Sequence, residues 1–196
     1  MSQILTVEFS SDNERYNGDD MRRAAYLHAL AAGETGVCLV LLKRKGYAPI
    51  QVVVNVGAKE ASVVLPLPTE IKSFDFGTAF TFPGETLVIT EQNSKEILSE
   101  VSSTFPELNT IIVTLDRETA FAQAGEYSLN PDRPIIICRS TEAAAAAAMV
   151  LHQDLLNGTM ESTIGQPGGI LEIGMRKENG KVTGLSAGGP VDFVQT

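Results

Sequence analysis

The chain reads Pro134-Ile135-Ile136-Ile137-Cys138-Arg139-Ser140-Thr141-Glu142 and then runs through six alanines, Ala143–Ala148. The apolar tetrapeptide predicts a short strand, and the alanines predict a buried helix from Thr141 to Leu156. Alanine on most faces lets strands approach such a helix closely. A thiol at Cys138, just before the helix, is expected to have a lowered pKa because the helix dipole favours an anion there. The free N–H groups of the first turn suit a bound carboxylate for the same reason.

Apolar periodicity organises the rest of the chain around this helix. After the helix, strands are predicted at 159–164, 169–175 and 181–187. Before it, the pattern predicts a strand at 3–9, a helix capped by Asp19 or Asp20 and ending at Gly33, and three strands between 37 and 65. A looser region at 70–84 follows. The remaining predicted elements are a strand at 87–90, a helix at 94–102, a strand at 109–115 and a short helix at 119–124. Each half thus offers a strand, a small-residue helix and then antiparallel strands.

This repeated order predicts an α+β fold with two lobes. The N-terminal lobe is expected to span residues 1–80 and the C-terminal lobe residues 81–196. Each lobe is interpreted as a curved antiparallel sheet wrapped around a central helix.

Composition limits the class of protein. The chain has 196 residues, of which 43% are hydrophobic and 20% charged, which is ordinary for a soluble globular protein. Its net charge of −9 argues against a generic nucleic-acid or anionic-membrane surface, which needs clustered Lys and Arg. No stretch approaches the roughly 20 apolar residues of a membrane helix, and no signal peptide is evident. A cytoplasmic location is therefore expected.

Metal chemistry has no support in the sequence. Cys38 and Cys138 lie far apart and have no metal-ligand spacing. Two free thiols in a reducing cytoplasm are expected, with a disulfide left open as the alternative. His28 and His152 each stand alone in a predicted helix, which favours solvated or core-edge positions over metal binding.

Four segments, in order, resemble motifs of diaminopimelate epimerase and of the superfamily that shares its fold, which includes amino-acid racemases and phenazine-type isomerases. They are Phe9-Ser10-Ser11-Asp12 through Asn17-Gly18-Asp19-Asp20-Met21-Arg22-Arg23-Ala24, Phe82-Pro83-Gly84 before Leu87-Val88-Ile89, Phe105-Pro106-Glu107-Leu108-Asn109, and Cys138-Arg139-Ser140-Thr141-Glu142-Ala143-Ala144 with Pro167-Gly168-Gly169-Ile170-Leu171-Glu172-Ile173. The family's counterparts are F-N-x-D-G-S-E with C-G-N-G-x-R-C, G-N-P-H, F-P-x-x-x-N, and A-C-G-T-G-A-C-A-A with P-G-G-x-L-x-I. The match covers nearly the whole chain, and its last segment is the most specific.

The resemblance implies proton transfer without a cofactor. In such racemases two thiols face each other across a cleft between the lobes, each beside a helix N-terminus. One thiolate removes the α-proton, the other thiol returns a proton to the opposite face, and backbone N–H groups stabilise the carbanion at its carboxylate. For this chain the resemblance implies that Cys138 is catalytic. Asn109 also matches a functional position of the family, and Gly18 matches a structural one. The candidate substrate-binding residues are Asn17, Gly18, Asn109, Ser140, Thr141 and Glu142.

The sequence departs from the family pattern at several positions. Asn17 occupies the place of the first catalytic cysteine and cannot take a proton at neutral pH, so Asp19 and Asp20 are the candidates for the missing base. Thr81-Phe82-Pro83-Gly84 lacks the asparagine of G-N-P-H, and the E-R-G segment before the second cysteine has no counterpart. The first lobe is also expected to be shortened at its start.

Each candidate residue has a structural interpretation as well. Cys138 would be a buried, inert cysteine. Asp19 and Asp20 would be an N-cap pair, and Glu142 a first-turn carboxylate that complements the helix dipole. Asn109 would only cap a strand. Arg22 and Arg139 would either bind a carboxylate or remain solvated.

Two functions therefore remain open. The first is an isomerase or epimerase that transfers a proton at a carbon next to a carboxylate of a small substrate, using Cys138 and a second group such as Asp19 or Asp20. The second is a catalytically degenerate relative that serves as a binding or assembly subunit. A shortened first lobe would expose a sheet edge, which favours a homo-oligomer or a partner subunit that covers it. No nucleic acid, membrane or cofactor is expected as a partner.

Overall fold

A computed structural model describes residues 4–8, 18–43, 49–83, 85–106, 110–128, 140–167 and 169–191, without the side chains of 18–20 and 124–128. These residues form twelve strands and three helices. In chain order they are β1 Ile4–Glu8, α1 Gly18–Ala31, β2 Val37–Lys43, β3 Ile50–Asn55, β4 Glu60–Val64, β5 Glu70–Phe74, β6 Gly77–Phe82, β7 Glu85–Thr90, α2 Ser94–Thr104, β8 Thr110–Asp116, β9 Phe121–Ser128, α3 Thr141–Leu151, β10 Gly158–Gln166, β11 Gly169–Glu178 and β12 Lys181–Gly188. The predicted α+β class is confirmed.

The chain forms two compact units. Unit 1 comprises Met1–Leu65 with Ser186–Thr196, and unit 2 comprises Pro66–Leu185. The end of β12 belongs to unit 1 because Ser186 and Ala187 pair with β4. These units differ in their bounds from the predicted lobes 1–80 and 81–196, which stay a prediction.

The strands of both units form mixed rather than purely antiparallel sheets. Unit 1 has the strand order β1-β2-β3-β4 followed by the end of β12, and unit 2 has the order β12-β11-β10-β9-β8-β7-β6-β5. Among the described residues three pairs are parallel, namely β1 with β2, β7 with β8 and β9 with β10. The prediction of antiparallel sheets is wrong at these pairs. Each is joined through a helix, and a helical crossover returns the chain in the same direction. The wrapping of each sheet around a helix stays a prediction.

Unit 1 places α1 against strands β1 to β4. Buried and outward-facing side chains alternate along β2, where Cys38, Val40 and Leu42 are buried, as expected for a sheet with one covered face. Cys38 is therefore a core residue of unit 1. The helix begins at Gly18, so Asp19 and Asp20 lie in its first turn. The prediction that one of them caps the helix is wrong, because the helical backbone already includes both residues.

In unit 2, α3 packs against β6, β7, β9, β10 and β11. All six alanines from Ala143 to Ala148 are buried, at most 2% exposed, which confirms the predicted buried helix. The helix ends at Leu151 rather than at Leu156. His152 forms its C-cap with non-helical backbone angles, and the buried Lys177 donates from Nζ to the carbonyls of His152 and Gln153. A cation at this end of the helix interacts favourably with the negative end of the helix dipole.

Two sequence predictions in unit 2 are wrong. The region 70–84 holds the hairpin of β5 and β6, which pairs onward with β7. The helix predicted at 119–124 is instead the start of β9. Asp116 accepts hydrogen bonds from the N–H groups of Glu118 and Thr119, and this turn reverses the chain so that β9 pairs with β8. Sheet pairing here overrides local helical preference. The strand predicted at 135–138 lies outside the described residues.

Candidate functional site

The structure brings one group of the predicted site residues together at the start of α3. Ser140 is its N-cap, and Thr141 and Glu142 are its first two residues. Gly18, Asp19 and Asp20 form the first turn of α1, without described side chains. Cys138, Asn17 and Asn109 lie outside the described residues, so the roles predicted for them stay predictions.

Ser140 caps α3 with an extended backbone, at φ −122° and ψ 121°. Its Oγ accepts a hydrogen bond of 3.2 Å from the N–H of Ala143, and its carbonyl accepts one of 3.0 Å from the N–H of Ala144. Helix geometry leaves the N–H groups of Thr141 and Glu142 without an intrahelical acceptor. These two groups, at the positive end of the helix dipole, are suited to an anionic ligand.

Gln166 holds Ser140 from the neighbouring strand. Its Oε1 accepts the N–H of Ser140 at 3.1 Å, and its Nε2 donates to the carbonyl of Ser140 at 3.1 Å. Gln166 is the last residue of β10 and is only 5% exposed. The side-chain amide thus forms hydrogen bonds with both the N–H and the carbonyl of one extended residue, as a neighbouring strand would.

Two carboxyl groups lie close together at this helix start. Glu142 is half-buried, and its Oε2 accepts a hydrogen bond of 2.9 Å from the hydroxyl of the fully buried Thr141. Glu85, the half-buried first residue of β7, has a pKa raised to about 7, first by its burial and then by the negative charge of Glu142. Glu85 therefore exchanges its proton near neutral pH, the range in which a general acid or base works well.

The raised pKa of Glu85 predicts that the stability of the protein depends on pH. Its pKa is about 7 in the folded chain against an ordinary 4.5, so the folded state holds more protons between these values. The free energy of unfolding should therefore fall as pH rises from about 4.5 to about 7, by on the order of 2–3 kcal/mol from this group. Glu85→Gln should remove that slope. Urea unfolding at several pH values, followed by circular dichroism, measures it.

Glu142→Gln serves as the matched variant for this measurement. It should lower the pKa of Glu85 but leave it above the ordinary value, because burial is the larger cause of the shift. An unchanged pH slope in Glu85→Gln would contradict the assignment.

Sequence reasoning missed both Glu85 and Gln166. Glu85 directly follows the Phe82-Pro83-Gly84 segment, and Gln166 directly precedes Pro167-Gly168-Gly169, so both adjoin segments that resemble family motifs. That adjacency is the signal that was available. The burial of the two side chains depends on how β7 and β10 pack against α3, which no local pattern reveals.

Several other predicted features are also placed by the structure. Arg22 is buried rather than solvated. It is 2% exposed, and its Nη1 donates to the carbonyls of Ala61 and Gly189. His152 Nε2 lies 3.1 Å from Ser162 Oγ, and its pKa is lowered by burial and then by the charge of Lys177. Burial raises the pKa of the Cys38 thiol, and the negative charge of Glu34 raises it further.

Two further findings concern the described part of the chain only. It contains no group of three or more His, Cys, Asp or Glu side chains arranged to hold a metal ion. None of its helices is long and apolar enough to cross a membrane.

Comparison with known proteins identifies the fold. No protein-family model matches the chain, and no curated protein matches it by sequence. Among solved structures it is similar to a predicted epimerase from Pseudomonas aeruginosa, with a TM-score of 0.57 and 10% identity over 87% of this chain and 69% of that one. It is also similar to a probable proline racemase from Agrobacterium radiobacter K84, solved with bound carbonate, with a TM-score of 0.50 and 11% identity over 89% of this chain and 65% of that one.

The chain thus shares the fold of this predicted epimerase and this probable proline racemase. This confirms, at the level of the fold, the resemblance that the sequence motifs suggested. At these low identities the likeness establishes the fold alone, and the chain spans less than two thirds of the racemase.

Proposed function

We propose that this protein is a cofactor-independent isomerase or epimerase, which transfers a proton at a carbon next to a carboxylate of a small substrate. The observation that carries the proposal is Glu85, a carboxyl group with a pKa of about 7 beside the first turn of α3. Proton abstraction next to a carboxylate needs a base that is partly ionised at neutral pH and donors for the developing charge. Glu85 supplies the first, and the N–H groups of Thr141 and Glu142 supply the second.

The proposed reaction has two proton-transfer steps. A base removes the α-proton, and the electron pair of the C–H bond moves toward the carboxylate, whose oxygens receive hydrogen bonds from the start of α3. An acid on the opposite face then returns a proton to the α-carbon and inverts it. Cys138, two residues before the helix cap, is the proposed partner on one face. Glu85 joins Asp19 and Asp20 as a candidate for the second group, which Asn17 cannot be.

A binding or assembly subunit without chemistry is the second candidate. Asn17 favours it, because this residue occupies the place of a catalytic thiol in the motif. In this case the start of α3 would hold a carboxylate without changing it. A homo-oligomer, or a partner subunit that covers the first lobe, belongs to either proposal.

Solvent exchange distinguishes the two candidates. The protein is incubated in D₂O with each enantiomer of a set of small α-substituted acids that includes proline, and loss of the α-proton is followed by NMR. We expect exchange with at least one acid, and a loss of about 10²–10⁴-fold in rate for Cys138→Ala and for Glu85→Gln. Glu172→Gln, which changes an exposed carboxyl on β11, is the control and should exchange as the unsubstituted protein does.

Thiol alkylation adds a readout that needs no substrate. If no acid exchanges and iodoacetamide labels Cys138 as slowly as it labels the buried Cys38, the binding or assembly candidate replaces the isomerase. Exchange that survives Glu85→Gln unchanged would leave Asp19 or Asp20 as the second group.

A further inference from the structure

Gln166 is buried, yet both polar atoms of its side chain are used on a single residue. Oε1 accepts the N–H of Ser140 and Nε2 donates to its carbonyl, each at 3.1 Å. The carbonyl of Ser140 also accepts the helix hydrogen bond from Ala144, and its Oγ accepts the N–H of Ala143. Every main-chain hydrogen-bonding group of Ser140 therefore has a partner, and two of these bonds depend on Gln166.

The two hydrogen bonds between the side chain of Gln166 and the main chain of Ser140, called the clamp below, lie where α3 begins. The N–H of a residue directly before a helix has no intrahelical partner. Leaving a buried group of this kind unpaired costs about 1–3 kcal/mol, and the N–H of Ser140 is part-buried. The side-chain amide of Gln166 supplies the partner and so avoids this cost. Gln166 itself is the last residue of β10, and its main chain pairs with Gly169 of β11. The start of α3 is thus tied to the strand pair β10–β11, not only to the packing of its alanines.

We propose that Gln166 is a positioning residue for the site at the start of α3. By holding Ser140 it fixes where Thr141 and Glu142 place their N–H groups, and how close Glu142 lies to Glu85. It also anchors the main chain two residues after Cys138. The role of this site rests on the proposed function, whereas the hydrogen bonds between Gln166 and Ser140 belong to the fold.

The test compares Gln166→Leu with Ile164→Val. Ile164 is fully buried, lies on the same strand and points to the same face, so its truncation weakens the packing of β10 without touching Ser140. Two quantities are measured by NMR in each variant, namely the hydrogen-exchange rate of the Ser140 amide and the titration midpoint of the Glu85 carboxyl.

Gln166→Leu is expected to speed exchange at Ser140 by at least about 10-fold beyond the change at central β10 amides, since one lost hydrogen bond of about 1.4 kcal/mol corresponds to that factor. It should also lower the Glu85 midpoint, because a loosened helix start lets Glu142 move away and water enter. In Ile164→Val, exchange at Ser140 should change no more than at central β10 amides, and the titration midpoint of Glu85 should stay the same. Equal behaviour of the two variants would show that Gln166 is a packing residue and would overturn the proposal.

A measurement on the unsubstituted protein covers the case in which Gln166→Leu does not fold. The side-chain amide protons of Gln166 should exchange at least about 10-fold more slowly than those of exposed Gln51, in keeping with a buried hydrogen bond. Exchange as fast as at Gln51 would contradict the clamp. None of these readouts involves turnover, so a failed D₂O experiment and a failed clamp experiment are separate outcomes.

Discussion

Replacing Gly77 by alanine is expected to destabilise the protein by at least about 3 kcal/mol, which would lower the melting temperature by about 6–12 °C for a chain of this size. Gly77 begins β6 with φ at +150°, a backbone conformation that L side chains rarely adopt. A Cβ at this position would also overlap the carbonyl oxygen of Ile89 and come within 3.1 Å of its carbonyl carbon and 3.2 Å of Thr90 Cα. These are backbone atoms of β7, so relief requires the strands to separate.

Gly158→Ala is the matched control for this experiment. Gly158 has φ at +117°, but no atom lies within 4 Å of the point that a Cβ would occupy, so its substitution carries only the conformational cost. Thermal unfolding followed by circular dichroism compares the two variants. If both variants lose the same stability, the close approach of β6 and β7 at Gly77 does not limit the side chain, which would contradict the prediction.

Replacing Arg22 by methionine is expected to cost about 3 kcal/mol of unfolding free energy. The Nη1 of Arg22 donates to the carbonyl of Ala61 at 2.9 Å and to the carbonyl of Gly189 at 3.0 Å, and the residue is 2% exposed. Gly189 is 167 positions away in the chain. The guanidinium therefore joins α1, the start of β4 and the returning C-terminal segment within unit 1. Methionine fills much of the same volume but leaves two buried carbonyls without this donor.

Two further variants make the Arg22 prediction specific. Arg22→Lys retains the charge but has one compact ammonium in place of the planar fork, so it should recover only part of the loss. Arg23→Met changes the exposed neighbour on the same helix and should cost less than Arg22→Met, because its side chain is not buried. Urea unfolding measures all three, and equal stability of Arg22→Met and Arg23→Met would contradict the role of the buried arginine.

The sequence predicted much of the fold for physical reasons that are local. Valine-rich runs joined by turn residues predicted three strands between 37 and 65, where β2, β3 and β4 lie, and the run of alanines predicted a helix that strands can approach closely. It failed at β9, where the turn at Asp116 and pairing with β8 decide the conformation. It also failed on strand direction, since local patterns do not say which strand becomes a neighbour after a helical crossover.

The candidate site also has some features that are local in sequence and others that depend on tertiary contacts. The alanine-rich run was enough to predict that α3 begins at Thr141, because helix propensity is a local property. Three other features appear only once the chain has folded: Glu85 lies at this helix start with a raised pKa, Gln166 holds Ser140, and Arg22 is buried against main-chain carbonyls. These properties depend on desolvation and on hydrogen-bond partners far away in the chain, and neither is set by the residues next to them in sequence.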